Sequence, residues 1–281
     1  MATASTGVLT QTLAQLRERV ARRLGDYEEL TGTSNGTITT FIDALNINSA
    51  TENLEGRWLV TSTGTVHRIT AMNDSTNTIT FTPACANANL VEVGDVVTLY
   101  NKRGKGFSPA QYKAAINDAI NDAFPLGRIE IVSTISGDFD ADTPEITVPA
   151  SMTHVHTVEW SDDEGDWHVL MKATRSNEQG WRGDPASGQI RLQGIAAQQA
   201  DGYSVRVTGY GRQDILTADS DTCALNAEYV IARACFHLTR GNIDRDEKYA
   251  QTTLNYENEA KSLRMRLRRI ERTDSELVRS A

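Results

Sequence analysis

The chain is poor in the features that assign a function quickly. It has three cysteines in 281 residues, Cys85, Cys223 and Cys235. That odd number, with no CxxC pair, points away from a disulfide framework and toward buried thiols in a reducing compartment. Cys223 and Cys235 are twelve apart, too far along one helix to be bridged. No stretch approaches the roughly 18 apolar residues of a membrane span. The start, MATASTGVLTQTLAQ, lacks the charged head and apolar run of a secretion signal. Asn35-Gly36-Thr37 and Asn73-Asp74-Ser75, which match the glycosylation pattern, therefore read as turns. Positive charge is in deficit: 28 Lys and Arg stand against 37 Asp and Glu, a net charge of -9. Phosphate binding relies on Lys and Arg, so this argues against a general nucleic-acid coat. It leaves room for a protein that DNA slides past without sticking.

Catalytic signatures are missing as well. No GxSxG, HExxH, GxGxxG or EF-hand loop is present. The basic junction Asn101-Lys102-Arg103-Gly104-Lys105-Gly106 lacks the spacing of a phosphate-binding loop and reads as a hinge. His154 and His156 lie two apart, so on a strand they face one way and could share a metal with Asp162 or Asp163. A lone HxH is a weak signal, and ordinary histidines are the reading adopted. The acidic turn Asp162-Asp163-Glu164-Gly165-Asp166 lacks the spacing of a calcium loop. No nucleophile is matched with a base. The chain is not read as an enzyme, and no cofactor or metal is expected.

What is there is a globular composition, 39% hydrophobic and 23% charged, on a length that suits one large domain or two smaller ones. The organising stretch is SPAQYKAAINDAINDAF, residues 108–124. Ser108 can cap a helix and Pro109 fits its first position. Tyr112, Ala115, Ile116, Ala119, Ile120, Ala123 and Phe124 form an apolar stripe, with Lys113, Asn117, Asp118, Asn121 and Asp122 on the wet side. Leu9, Leu13, Leu16, Val20 and Leu24 predict a first helix over about 10–24, ended by Gly25. Near the end, Ala227, Val230, Ile231, Ala234, Cys235 and Leu238 mark a third helix, capped by Asp219 or Ser220 and stopped at Gly241. A fourth, beginning near Asp244, carries the seam Tyr249, Thr253, Tyr256, Ala260, Leu263, Leu267 and Ile270.

Between these helices the texture is β. Short β-branched runs at 37–42, 57–62, 66–71, 78–82 and 95–100 read as a small antiparallel barrel or sandwich, with Trp58, Val60, Ile69, Ile79, Phe81 and Val97 as core candidates. A second β region has strands near 129–135, 145–148, 154–160, 167–172, 189–192 and 203–210, and residues 177–187 read as a long loop. In that loop Trp181 is either a partner anchor or folded back onto its own domain. The fold expected is α+β: a bundle of about four helices with two antiparallel β insertions. The segments are 1–32 (first helix), 33–106 (β insertion), 107–127 (central helix), 128–215 (second β region), 216–272 (helix pair) and 273–281 (loose tail).

Charge is unevenly spread. The outer face of the first helix carries Arg17, Arg19, Arg22 and Arg23, either a solvated face or a contact for an acidic partner. The end of the chain carries Lys261, Arg264, Arg266, Arg268, Arg269, Arg272 and Arg279 against Glu271, Asp274 and Glu276. Three readings are open: a solvated face, a docking element that orders on an acidic partner, and DNA contact, which the overall acidity demotes.

The order of parts carries a resemblance. An N-terminal amphipathic helix and β insertion precede FSPAQYKAAINDAINDAFP. A further β region and the pair AEYVIARACFHLTRG and YENEAKSLRMRLRRI follow. This layout resembles the head-to-tail connector (adaptor) proteins of tailed bacteriophages. The resemblance implies a virion structural protein at the neck, made in the host cytoplasm. It forms a ring, usually of twelve subunits, under the portal protein, and a tail or nozzle protein lies below. Viral DNA passes through the lumen without specific binding. The resemblance further implies that the basic end docks on the portal, with Arg264, Arg266, Arg268, Arg269 and Arg272 as the candidate residues. A ring needs two complementary surfaces per subunit, and the face of Arg17, Arg22 and Arg23 against the turn of Asp162, Asp163, Glu164 and Asp166 is one candidate pair. The competing class is a tail, fibre or baseplate binding module, with Trp58, Trp167 and Trp181 as sugar-stacking aromatics.

Overall fold

The computed structural model describes residues 10–48, 51–86, 91–101, 106–135, 139–162, 164–173, 179–184, 188–241 and 247–277. For residues 135, 184, 247, 248, 266 and 268–277 it describes the backbone. The basic junction at 102–105, Asp163, and parts of the 177–187 stretch lie outside these residues.

In chain order the elements begin with β1 (Gln11–Thr12), α1 (Leu13–Leu24), β2 (Glu28–Thr31), β3 (Ser34–Thr37), β4 (Thr40–Ile42), β5 (Trp58–Val60), β6 (Val66–Asn73), β7 (Thr78–Thr82) and β8 (Val96–Tyr100). Then come α2 (Pro109–Ala123), β9 (Ile129–Ile135), β10 (Glu145–Thr147), β11 (Met152–Ser161), β12 (Trp167–Leu170), β13 (Gly180–Asp184) and β14 (Gln189–Gln193). The chain continues through α3 (Ile195–Ala200), β15 (Val205–Gly211), β16 (Thr222–Cys223), α4 (Ala227–Arg240) and α5 (Glu247–Leu277). The expectation of a helical bundle with two β insertions is corrected here. Among the described residues sixteen strands in four sheets stand beside five helices. The helical stripes are present, but they outweighed the strands in the sequence because a 3.6-residue period shows over long runs. Strands of two to four residues, such as β1, β4 and β5, carry almost no period of two.

The chain divides into two compact units, Met1–Asp122 with Ile215–Ala281, and Ala123–Asp214. In the first unit, α1 opens on a capping box. The Thr12 side chain accepts from the Gln15 N–H at 3.2 Å, and the Gln15 side chain accepts from the Thr12 N–H at 3.0 Å. Gly25 closes the helix in the left-handed conformation, φ 70°. A second capping box, Ser108 with Gln111, opens α2. The α2 stripe from Tyr112 to Ala123 is buried. Its polar side is bonded too: Asn117 exchanges two hydrogen bonds with Leu216, and Lys113 donates to the Thr217 carbonyl at 2.6 Å.

The central helix of this unit is α4. Tyr229, Val230, Ile231, Ala232, Ala234, Cys235, Phe236, Leu238 and Thr239 are all buried, more than a single stripe. Its cap is Asn226, which accepts from the Tyr229 N–H at 3.1 Å, not Asp219 or Ser220. Asp219 is drawn away to an arginine described below. Helix α5 runs back along α4, burying Thr253 and Ala260.

The seven-stranded sheet of the first unit has the order β2-β8-β5-β6-β7-β4-β3, with every pairing antiparallel. Its two edge strands, β2 and β3, are consecutive in the chain, so the sheet curls into a barrel-like wrap. Gly32 makes the bend: its N–H donates to the Asp95 carbonyl at 2.8 Å, and a Cβ there would run into the Glu92 carbonyl. Inside lie Leu30, Phe41, Leu59, Ile69, Ile79, Phe81, Val97 and Leu99. Trp58, expected inside, is half-buried with the Arg68 guanidinium over its ring. Arg57, the residue just ahead of β5, is the buried side chain, paired to Glu28 at 2.7 Å. Alternation places 57 and 59 on one face of the strand and 58 on the other.

The second unit is a sandwich. One sheet has the antiparallel order β12-β11-β15-β9, the other β10-β14-β13. Val155, Val158, Val205 and Val207 from the first pack with Ile146, Trp181, Ile190 and Leu192 from the second, closed by Ala196, Ala197 and Ala200 of α3. Strand β13, GWRGD, occupies a stretch expected to be loop. Its glycines allow close approach: at Gly183 (φ 152°) a Cβ would sit 2.6 Å from the Gln189 carbonyl oxygen.

Candidate functional site

The sequence nominated three charged surfaces: the α1 arginines, the acidic turn and the basic end of the chain. In α1, Arg17 is buried. Its guanidinium donates to both carboxylate oxygens of Asp219, at 2.8 and 2.7 Å, and its Nε to the Tyr100 hydroxyl at 3.3 Å. Burial opposes the arginine's charge, but the Asp219 bonds and Tyr100 outweigh it, and Arg17 is held above the ordinary arginine value. Arg17 is therefore an internal clamp from α1 to β8 and the segment ahead of β16, not part of an outer face.

The other three arginines of α1 are also engaged within the unit. Arg19 pairs with Glu228 in the first turn of α4 and donates to Gln11 at 2.8 Å. Arg22 bonds Glu18 at 2.8 Å and Glu29 at 3.3 Å, and its guanidinium stands 4.0 Å from the Tyr27 ring centroid. Arg23 reaches Glu259 of α5 at 2.6 Å and lies over the Tyr256 ring. The basic face thus ties α1 to α4 and α5. Of the distant acids it uses, Asp219 was read from the sequence as a helix cap, and Glu228 and Glu259 were not singled out. They lie 202, 209 and 236 residues from their partners, a separation no local pattern encodes.

The acidic turn is likewise committed in part. Asp162 Oδ1 accepts from the Glu164 N–H at 3.1 Å and the Asp166 N–H at 2.9 Å, while its Oδ2 meets His168 Nε2 at 2.6 Å. The His168 bond and then the Asp166 amide pull the Asp162 carboxyl below its ordinary range. Asp162 shapes the turn, Glu164 and Asp166 are exposed, and Asp163 lies outside the described residues. Elsewhere Asp122 binds Arg233 at 2.6 Å and His237 at 2.9 Å, joining α2 to α4. Partial burial works against that carboxylate's charge. The bonds from Arg233 and then His237 outweigh it and set its pKa below the usual carboxylate value.

His154 and His156 both stand exposed on β11. The His156 ring is tilted against Tyr210, with centroids 4.9 Å apart, and its Nε2 lies 3.8 Å from Glu130. Among the described residues, no group of three His, Cys, Asp or Glu is placed to hold a metal ion. Among the described residues, no helix is long and apolar enough to cross a membrane. Trp181 is folded into its own core at 1% exposure, which removes it as a stacking platform. Trp167 is half-buried against Arg206, whose guanidinium is 4.1 Å from its ring centroid.

Helix α5 is the remaining element. At 31 residues it spans about 46 Å, against about 21 Å for the 14 residues of α4. Arg264 is half-buried, and its charge acts on the Tyr229 hydroxyl in the first turn of α4. Its Nε is buried without a hydrogen-bond partner. At Arg264, α5 has therefore reached the start of α4, and residues 265–277 continue as helix past it for about 20 Å. Arg266, Arg268, Arg269 and Arg272 are all on that extension; their side chains lie outside the described residues. Met265, at its root, is 62% exposed. Compared with protein-family models and with curated proteins, the chain matches none.

Proposed function

We propose that the chain is a virion structural protein that forms a head-to-tail connector ring. The ring docks under the portal, joins capsid to tail and lets DNA pass through its lumen. The observation that carries this reading is α5. Helix α5 runs on for about 20 Å beyond Arg264, where it has reached the start of α4, and a helix continuing past its packing partner gains stability by docking on another surface. Its extension carries Arg266, Arg268, Arg269 and Arg272 within a chain of net charge -9. The bulk charge repels DNA from a lumen wall, while the basic helix suits an acidic protein surface. Portal docking is assigned to the four arginines beyond Arg264. Arg264 itself packs against α4, and its role there is to hold the root of the arm.

The test is the mass distribution of the full chain, alone and mixed with the portal ring from the same particle. The expected result is a ring-sized complex with the portal. The complex should be lost on R266E/R268E/R269E/R272E while the unfolding transition of the free chain is unchanged. A charge-reversed chain that still joins the portal removes the docking assignment. A wild-type chain that ignores the portal moves the reading to a tail, fibre or baseplate module.

A further inference from the structure

The second unit ends its four-stranded sheet on two strand edges that match one another. Strand β9 pairs with β15 on one side, and among the described residues it has no strand on the other. Its sequence, IEIVSTI, is β-branched along most of its length with one charge, so it lacks the lysines, prolines or bulges that blunt exposed edges.

The ladder shows which backbone groups face outward. On β15's side, the Arg212 N–H bonds Ser151 and the Ser204 carbonyl takes the Ser161 N–H, so even-numbered residues there face β11. The Tyr203 carbonyl takes the Phe139 N–H, so odd-numbered residues face β9. With Gly209 opposite Ile131 and Val207 opposite Ser133, the N–H and C=O of Glu130, Val132 and Thr134 point off the edge. The same alternation runs across β11 to β12. The Asp162 N–H bonds the Asp166 carbonyl, Val158 faces Leu170 and Trp160 faces His168. Trp167 and Val169 therefore point off the opposite edge. The next outward carbonyl, that of Met171, is already taken by the Trp181 N–H at 2.9 Å.

The geometry points to a head-to-tail contact in which β9 adds to β12 of a second copy of this chain. Four antiparallel strands are an even number, so β9 and β12 run in opposite directions. A copy set alongside in the same orientation then presents β12 antiparallel to β9. Val132 and Val169, 56% and 67% exposed, stand opposite Thr208 and Glu159 on the face of the sheet that looks away from the core. Placed opposite each other, they form a hydrogen-bonded pair with both side chains on one face, and Thr134 falls opposite Trp167. In the same register Glu130 falls opposite Met171 of the second copy. The joint is two residue pairs long because Trp181 closes the rest of β12. Repetition of one such unlike contact closes a ring or runs open. The contact stands on the second unit alone and does not need the connector reading, although it supplies the subunit joint that reading requires. It replaces the pairing of the α1 arginines with the acidic turn, because those arginines are already engaged within the first unit.

The experiment is oxidative cross-linking of the full chain carrying Val132→Cys and Val169→Cys, with each single variant beside it. A directly opposed pair has Cα atoms about 5.5 Å apart, within disulfide range, and the native thiols are buried. The expected result is a reducible ladder of dimers, trimers and larger species from the double variant alone. Dimers from V132C by itself would mean β9 pairs with its own copy about a two-fold axis, and would overturn the proposal. So would monomers throughout. As a second probe, Val132→Pro removes an outward N–H and leaves the β15 ladder whole, whereas Ile131→Pro breaks that ladder. V132P should fold as the parent does and self-associate roughly fivefold more weakly per joint. Parental self-association in V132P would also refute the contact. A chain that cross-links as expected yet ignores the portal ring would sink the connector reading and leave this contact standing.

Discussion

Replacing Arg17 tests whether the basic face of α1 is an internal clamp or a surface held for a partner. Arg17→Met keeps most of the side-chain stem and removes a guanidinium whose side chain is 7% exposed, bonded to an aspartate that is 27% exposed. Breaking a fully buried pair costs about 3–5 kcal/mol, and the partial exposure of Asp219 reduces the loss here to about 2–3 kcal/mol. Asp219→Asn should cost more, about 3–4 kcal/mol, because it strands the deeper of the two charges. The double variant R17M/D219N should lose less than the sum of the singles by at least about 1.5 kcal/mol, since the residues act as one unit. Gly64→Ala approaches the pair from another side. Gly64 has φ 82°, and a Cβ there would lie 2.5 Å from an Asp219 carboxylate oxygen, so it too should destabilise the first unit. The assay is urea unfolding read by hydrogen exchange at α1 amides, because two compact units need not unfold together. Losses below about 0.5 kcal/mol, or strict additivity, would refute the clamp and return Arg17 to the candidate surface.

Two further outcomes follow from the same packing. Trp181→Ala should destabilise the second unit by about 3–5 kcal/mol, as a large side chain leaving a closed core does. A loss under about 1 kcal/mol in denaturant unfolding would mean the indole is not the anchor of that sandwich. Asp122, held below its ordinary 3.8 by Arg233 and His237 despite partial burial, should stabilise α2 against α4 fully above that pH. Its folded pKa is depressed, so the contribution is lost as pH falls through the lowered native value. In acid unfolding, D122N should flatten that limb of the stability curve, and an unchanged acid limb would count against the Arg233–Asp122–His237 link.

Much of the secondary structure was legible because its signals are local. Thr12 with Gln15, Gly25, Ser108 with Gln111 and the α2 stripe are read from residues a turn or less apart. Val205 to Gly211 shows its alternation of buried and half-buried positions in the sequence itself. The balance of helix and sheet was misjudged where strands are short. β13 was hidden because two of its five residues are glycine, which lowers strand propensity while permitting the close approach to β14. The α4 cap was misplaced for a related reason. Asp219 is as good a cap by type as Asn226, and only the position of Arg17 shows that it is used elsewhere. The candidate charged sites were readable as charge and unreadable as availability.

By itself the sequence determined where helices start and stop, which faces are apolar, and that a basic helix closes a net-acidic chain. Those properties depend on neighbours three or four residues away. Only the tertiary structure decided that Arg17, Arg19, Arg22 and Arg23 are spent inside the first unit. Likewise, it alone decided that α5 outruns α4 and that Val132 and Val169 stand on opposite free edges of one sheet. Those properties depend on contacts between distant segments. Whether a charge or a strand edge is free is a statement about what the rest of the chain has already taken.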